Sequence, residues 1–340
     1  MRTKTLLLAA FALAACNDSP TTSTLSAPSG ATRDAAGNAF SYSVPVTAEG
    51  YLSGADGVQL FYRVVGSGPD SAVVLTGGPG LALSYLDPDL RALAHGRTLI
   101  FFDQRGAGKS QLVYDPAQLT IQKQVEDLEA VRQHFGIGKL KIIGHSWGAM
   151  VAPFYAAAHP ATTDRLVMIT PGPIETQYDA MFEATRVSRT APAVLQHQLE
   201  LFGLLASGQS PDPVATCEEL FSIWFPAYFY DPANFANFRG KFCDEPPAAA
   251  NSLLFTLFAG RASLGQTWDL RPLLATVQAP ALVIHGAGDA IPFASTSAYA
   301  DAMPNAELLV IQGAGHFPWL EQPVQTFTAI NTFLRRGDLR

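Results

Sequence analysis

The sequence has 340 residues and a formal net charge of −7 at pH 7, with 48% hydrophobic and 15% charged residues. This length allows one large domain or two small ones, with an ample core. A mildly acidic chain that has no basic block argues against nucleic acid as a partner, but it does not identify a substrate.

The first residues form a targeting segment. Arg2 and Lys4 supply a short positive region, and the apolar run of residues 5–15 is too short to span a membrane. The run ends in LAAC at residues 13–16, which resembles the lipobox of bacterial lipoproteins. That resemblance implies cleavage before Cys16 and lipidation of Cys16, so we expect an exported protein that is lipid-anchored in the bacterial cell envelope. The alternative is an ordinary secretory signal with a chance cysteine.

Short apolar stretches alternate with stretches that have apolar residues at helical spacing. Strands are predicted at residues 51–54, 58–65, 71–76, 98–102, 140–143, 165–170, 281–285 and 306–311. Helices are predicted at residues 81–94, 119–135, 149–158, 292–303 and 324–336. This alternation implies an α/β fold, in which a mostly parallel sheet is covered by helices on both faces.

The alternation is absent from about residue 174 to residue 265. We predict helices there at residues 180–189, 193–206, 216–224 and 251–262, with an aromatic run between Phe221 and Phe238. We interpret this region as a helical cap, with most of its aromatic residues in the core and a few lining a pocket.

The chain therefore divides into five segments. They are a signal peptide at 1–16, a flexible Ser-, Thr-, Ala-, Pro- and Gly-rich tether at 17–45, the first part of the α/β core at 46–173, the cap at 174–265, and the second part of the core at 266–340.

The sequence GHSWG at residues 144–148 lies between a predicted strand and a predicted helix. This Gly-x-Ser-x-Gly pattern is typical of a turn so tight that the positions flanking the serine have almost no room for a side chain. Ser146 then lies at the tip of the turn in a strained conformation. The alternative is an ordinary Gly/Ser turn, which the strand-to-helix context disfavours.

A serine hydroxyl is a weak nucleophile near neutral pH and needs a base that a carboxylate orients. Asp289 and His316 each lie in a loop after a predicted strand, so Ser146, Asp289 and His316 follow the chain order nucleophile, acid and base. Asp269 and Asp301 are poorer candidates for the acid because neither follows a strand. Since ligands bind beyond the carboxyl ends of parallel strands, we predict that the three side chains converge there.

The strand at 71–76 runs into GGPG at residues 77–80, where backbone N–H groups can approach a ligand closely. We predict that the N–H groups of Gly78 and Trp147 form an oxyanion hole. Acyl transfer through these groups requires no cofactor. The histidines are scattered and no Cys/His spacing fits zinc, so we predict no metal site.

The letters GAGKS at residues 106–110 look like the end of a phosphate-binding loop. Asp103 stands where that motif needs its first glycine, and no helix follows, so we disfavour nucleotide binding. We predict instead a loop that Asp103 and Arg105 hold together near the serine turn. In an exported chain, Cys217 and Cys243 are expected to form a disulfide bond.

Together, GGPG at 77–80, DQRGAGKS at 103–110, GHSWG at 144–148 and the Asp289 and His316 loops resemble the α/β-hydrolase superfamily. The chain is most similar to its proline iminopeptidase branch over residues 46–336. The first two motifs are fairly specific to that branch, whereas the third is shared by the whole superfamily. The resemblance implies a serine hydrolase that removes small N-terminal residues from short peptides.

Two departures from that branch keep an alternative open. Thr76 stands where the branch usually has a histidine before GGPG. The branch binds the substrate amine with glutamates of the cap, and none of the cap carboxylates at 175, 183, 200, 218, 219, 244 and 245 matches that role. A carboxylesterase or lactonase that acts on small hydrophobic esters is therefore the alternative. A catalytically silent binding protein is disfavoured by the intact triad, and the oligomeric state is left open.

Overall fold

The computed structural model describes residues 41–243 and 246–336. Cys16 and the rest of the targeting segment lie outside these residues. Within them, eight strands form one sheet in the order β1-β2-β4-β3-β5-β6-β7-β8. The strands are β1 (Val46–Ser53), β2 (Gln59–Val65), β3 (Asp70–Leu75), β4 (Arg97–Phe102), β5 (Leu140–His145), β6 (Thr163–Ile169), β7 (Ala281–Gly286) and β8 (Ala306–Ile311).

Strand β2 pairs antiparallel with both β1 and β4, and every other neighbouring pair in the sheet is parallel. The predicted α/β fold with a mostly parallel sheet is confirmed. Each strand of such a sheet is buried on both faces, which explains why β5 and β7 are buried at all six positions. Successive side chains enter opposite cores: Ile142 packs in one apolar cluster and Ile143 in the other.

Eleven α-helices occur in the described part of the chain. They are α1 (Asp87–Leu90), α2 (Ile121–His134), α3 (Trp147–Ala158), α4 (Thr176–Ser188), α5 (Pro192–Ala206), α6 (Pro213–Trp224), α7 (Pro247–Ala262), α8 (Arg271–Leu274), α9 (Phe293–Ala302), α10 (Pro318–Glu321) and α11 (Pro323–Arg335). None of them is long and apolar enough to cross a bilayer.

The helix predicted at residues 81–94 is wrong as a continuous element. The structure has 3-10 turns at Leu83–Tyr85 and Arg91–Ala94, with only the four-residue α1 between them. Pro88 lies in the first turn of α1, and a proline there has no N–H to continue a helix from the preceding turn.

Helices α4 to α7 lie between β6 and β7, where the cap was predicted. Each begins before its predicted start. A proline opens α5, α6 and α7, and a proline suits the first helical position because the N–H it lacks would be unpaired there anyway. A disulfide bond joins Cys217 of α6 to Cys243, shortly before α7.

Candidate active site

Ser146 lies between β5 and α3 in a backbone conformation that L-residues rarely adopt, with φ 54° and ψ −113°. The residues two positions before and after Ser146 must be glycine for lack of space. A Cβ at Gly144 would lie 2.4 Å from the Gly148 carbonyl oxygen, and a Cβ at Gly148 would lie 2.4 Å from the Leu75 carbonyl oxygen. The Ser146 N–H donates to the Ile169 carbonyl at 3.0 Å, so β6 holds the turn in place.

Asp289 and His316 come together although β8 and α9 separate them in the sequence. The Nδ1–H of His316 donates to Asp289 Oδ2 at 2.9 Å, and the two side chains are 2% and 0% exposed. Asp289 Oδ1 accepts the Ile291 N–H at 3.1 Å, which fixes the carboxylate. Because Nδ1 carries the proton, Nε2 of His316 is left as the basic nitrogen. His316 and Ser146 line the same cavity.

The two other candidates for the acid lie elsewhere. Asp269 pairs with Arg271 at 2.9 Å, and Asp301 is exposed on α9. Both therefore lack the histidine contact that Asp289 makes.

Gly78 and Trp147, whose N–H groups were predicted to form the oxyanion hole, lie at the same cavity as Ser146. Trp147 is the first residue of α3, and the first N–H groups of a helix have no partner within it. In the GGPG loop the Gly77 N–H donates to the Tyr85 hydroxyl at 2.6 Å, so Gly78 is the loop residue that remains for this role. Gly78 and Trp147 both line the cavity with Ser146.

The cavity has a volume of about 430 Å³ and lies between the sheet and the cap. Its apolar lining comes largely from aromatic residues of the cap: Phe182, Phe202, Phe221, Trp224, Phe225, Tyr228 and Phe258. Other members of the predicted aromatic run pack in the core instead, as Phe229 does by stacking on Phe317 at 5.0 Å between ring centroids. An apolar substrate group is the kind of ligand that this lining accommodates.

Two carboxylates of α4, Asp179 and Glu183, also line the cavity. Asp179 Oδ1 accepts a hydrogen bond from Arg261. Glu183 is bound by both Nε and Nη2 of Arg186, at 2.9 and 2.6 Å. The Arg186 guanidinium in turn lies 3.8 Å from the centroid of the Trp224 ring. Each of these two carboxylates therefore forms an ion pair with an arginine.

Sequence reasoning did not single out Asp179 and left Glu183 without a role. Their spacing of four residues was the available signal, because residues so spaced share a helix face. The predicted helix began at residue 180, one residue after Asp179, whereas α4 begins at Thr176 and includes both residues. Glu175 instead pairs with Arg271, Glu200 and Glu219 with His197, and Glu218 with the Cys243 N–H. Residues 244 and 245 lie outside the described part of the chain.

Asp103 and Arg105 both hold the loop at residues 103–110, and the bonds described for them go to separate partners. Arg105 makes a buried two-pronged ion pair with Asp127 of α2, with both N–O distances at 2.6 Å. Asp103 accepts the N–H groups of Leu83 and Lys109 at 2.6 and 2.8 Å. The loop is therefore fixed at two points by separate partners. Arg105 pairs with Asp127 because a buried guanidinium group requires a buried carboxylate to balance its charge.

Comparison with known proteins identifies the family of this chain. A family model described as the alpha/beta hydrolase fold matches residues 73–323. A proline iminopeptidase of Heyndrickxia coagulans is 24% identical over 296 residues, which are 84% of this chain and 98% of that protein.

Two solved structures share the fold. Proline iminopeptidase from Mycobacterium smegmatis has a TM-score of 0.64 at 24% identity, over 86% of this chain and 99% of that one. A thermophilic esterase from Thermogutta terrifontis has a TM-score of 0.62 at 22% identity, over 85% of this chain and 99% of that one. From the family match and the sheet order together, the chain belongs to the α/β-hydrolase family.

Proposed function

We propose that this protein is a serine hydrolase that acts by acyl transfer through Ser146, Asp289 and His316. The observation that carries the proposal is the buried Asp289–His316 hydrogen bond at the cavity that also holds the strained Ser146. The preferred reaction is removal of proline or another small residue from the N-terminus of a short peptide.

In the proposed reaction, His316 Nε2 takes the Ser146 hydroxyl proton while Ser146 Oγ attacks the substrate carbonyl carbon. The resulting oxyanion is stabilised by the N–H groups of Gly78 and Trp147. The leaving amine takes the proton from His316 as the bond to the acyl carbon breaks. Water, deprotonated by His316, then attacks the acyl-enzyme and releases the acid and the Ser146 hydroxyl.

Specificity for peptides requires a group that binds the substrate ammonium. Asp179 is suited to this role because Arg261 bonds to its Oδ1 and the hydrogen bonds described for Asp179 leave Oδ2 available. Glu183 is less suited, since Arg186 engages both of its oxygens. The aromatic lining matches a pyrrolidine ring, and the similarity to proline iminopeptidases supports the same class of substrate.

A carboxylesterase is the second candidate, and the charge balance of the cavity favours it. Asp179 and Glu183 are matched by Arg261 and Arg186, so the cavity wall lacks the net negative charge that attracts an ammonium group. A neutral ester would bind to the aromatic lining without breaking either ion pair.

Hydrolysis of L-proline p-nitroanilide and of p-nitrophenyl butyrate separates the two candidates. We expect the wild type to cleave the anilide and Ser146→Ala to cleave neither substrate. Asp179→Asn should raise KM for the anilide about tenfold or more and leave KM for the ester unchanged, because only the anilide carries an ammonium. Glu200→Gln, which removes an exposed carboxylate of α5, is the matched control and should leave both unchanged.

Cleavage of the ester alone would make the protein an esterase. If neither substrate is cleaved and a fluorophosphonate probe fails to label Ser146, the assignment as a serine hydrolase is wrong.

A further inference from the structure

A buried chain of hydrogen bonds connects the GGPG loop to the backbone of His316. The Gly77 N–H donates to the Tyr85 hydroxyl at 2.6 Å. The Tyr85 hydroxyl lies 2.7 Å from His145 Nδ1, and His145 Nε2 lies 3.0 Å from the His316 carbonyl oxygen. Tyr85 is fully buried and His145 is 2% exposed.

The partners dictate which atom donates in each bond. A carbonyl oxygen only accepts, so His145 Nε2 must carry a proton. Burial lowers the pKa of His145 well below its usual range, so the ring is neutral and its Nδ1 accepts. The Tyr85 O–H therefore donates to Nδ1, and the hydroxyl oxygen accepts from Gly77. A single tautomer of His145 satisfies every group in the chain.

Thr170 reinforces the far end of this chain. Its hydroxyl donates to the same His316 carbonyl at 2.9 Å. Thr170 follows β6 with φ 43°, a conformation that is strained for a β-branched residue. Its N–H bonds to the Ile284 carbonyl at 2.8 Å, which helps to hold it there.

We propose that Tyr85 and His145 are positioning residues, which set the oxyanion loop and the backbone of His316 in one fixed relation to Ser146. They act through Gly77 and His316 and not on the substrate. Since His145 directly precedes Ser146, one neutral imidazole ties together the serine turn, the loop that offers Gly78 and the loop that carries His316. This inference rests on the proposed function, because it assigns a role within that reaction.

The test compares Tyr85→Phe, His145→Gln and His145→Ala with the wild type on whichever substrate the wild type cleaves. Tyr85→Phe removes the acceptor of the Gly77 N–H, so we expect kcat to fall about 10- to 100-fold with KM within about twofold. The Ki of phenylboronic acid, which mimics the tetrahedral intermediate on Ser146, should rise in parallel with the loss of kcat.

The two His145 variants separate positioning from packing. The Gln side-chain amide can place an N–H near the position of His145 Nε2, so His145→Gln should retain at least tenfold more kcat than His145→Ala. Tyr155→Phe is the matched control. It removes another buried tyrosine hydroxyl, bonded to Glu129 at 2.8 Å away from the cavity, and should leave kcat and the Ki unchanged.

The outcomes also distinguish this inference from the proposed function. A wild type that cleaves no substrate and is not labelled at Ser146 refutes the function itself. An active wild type whose Tyr85→Phe and His145→Ala variants keep its kcat and Ki would overturn the positioning role. So would a loss confined to thermal stability, with kcat and Ki equal to those of Tyr155→Phe.

Discussion

His316 Nδ1 donates to Asp289 Oδ2 at 2.9 Å in a contact that is almost completely closed to solvent. The carboxylate thereby selects the imidazole tautomer whose Nε2 can accept a proton. In Asp289→Asn the amide can donate to Nδ1 and favour the opposite tautomer. We expect kcat to fall by about 10⁴ with the fold retained, as judged by circular dichroism and steady-state rates.

Asp269→Asn is the control for that variant, because it neutralises another aspartate of the second core segment in an exposed pair with Arg271. Its kcat should equal that of the wild type. A large loss in Asp269→Asn with none in Asp289→Asn would reassign the acid.

Gly78 has φ 110°, and a Cβ there would lie 2.8 Å from the Gly80 nitrogen. Gly78→Ala must therefore shift the loop whose Gly78 N–H we propose to bind the oxyanion, and we expect kcat to fall about 100-fold while KM changes little. Gly136→Ala is the matched control for Gly78→Ala. Gly136 also has a positive φ, of 62°, but no other part of the structure lies within 4 Å of the new Cβ. That variant should lose about 1 kcal/mol of stability and no kcat. Equal kcat in both variants would remove Gly78 from the oxyanion hole.

The disulfide between Cys217 and Cys243 closes a loop with a sequence separation of 26. Cross-linking a loop of this length stabilises a fold by about 3 kcal/mol, mainly by restricting the unfolded chain. Cys217→Ala/Cys243→Ala should lower the free energy of unfolding in urea by about that amount. Reduction of the wild type should have the same effect. Two free thiols in the denatured, unreduced wild type would show that the bond is absent.

Asp89 is fully buried and pairs with Arg239 at 2.9 Å. Burial raises its pKa to about 6, so the folded state binds this proton more tightly than the unfolded state does. The contribution of Asp89 to the free energy of unfolding therefore falls as the pH rises from about 4 to about 6. The fall amounts to roughly 3 kcal/mol, and the contribution is constant above about pH 6. The difference between wild type and Asp89→Asn in urea unfolding should follow that curve. A difference independent of pH would contradict it.

We propose that Cys16 is lipidated, and this proposal predicts that the protein associates with a membrane. Expressed in a bacterium that processes lipoproteins, the wild type should label with radioactive palmitate and partition into the detergent phase of Triton X-114. Cys16→Ser should do neither, because it offers no thiol for the lipid. An unlabelled wild type with a mature N-terminus other than Cys16 would support the ordinary secretory signal.

Much of the fold and part of the candidate site could be predicted from local patterns. Short stretches rich in apolar residues, such as those that form β5 and β7, identify buried strands. A glycine two residues before and after Ser146 identifies a turn with no room for side chains. Asp289 and His316 were predictable because their loops follow strands of a parallel sheet, whose carboxyl ends lie along one edge. These features depend on residues that are close together in the chain.

Other features depend on which surfaces meet when the chain folds. Arg105 could pair with Asp103 or Asp127 by charge alone, and only the position of α2 decides for Asp127. The cap helices bring Asp179 to the cavity wall beside Arg261, and the folded loop after β3 brings Tyr85 to His145.

The sequence by itself therefore determined where the strands and the serine turn lie, and where the three candidate catalytic residues follow their strands, because each position was identified from a motif of a few residues. Only the tertiary structure decided the partners of Arg105, Asp179 and His145. A side-chain contact between distant segments depends on packing angles and on exclusion of water, and no local pattern of residues records either.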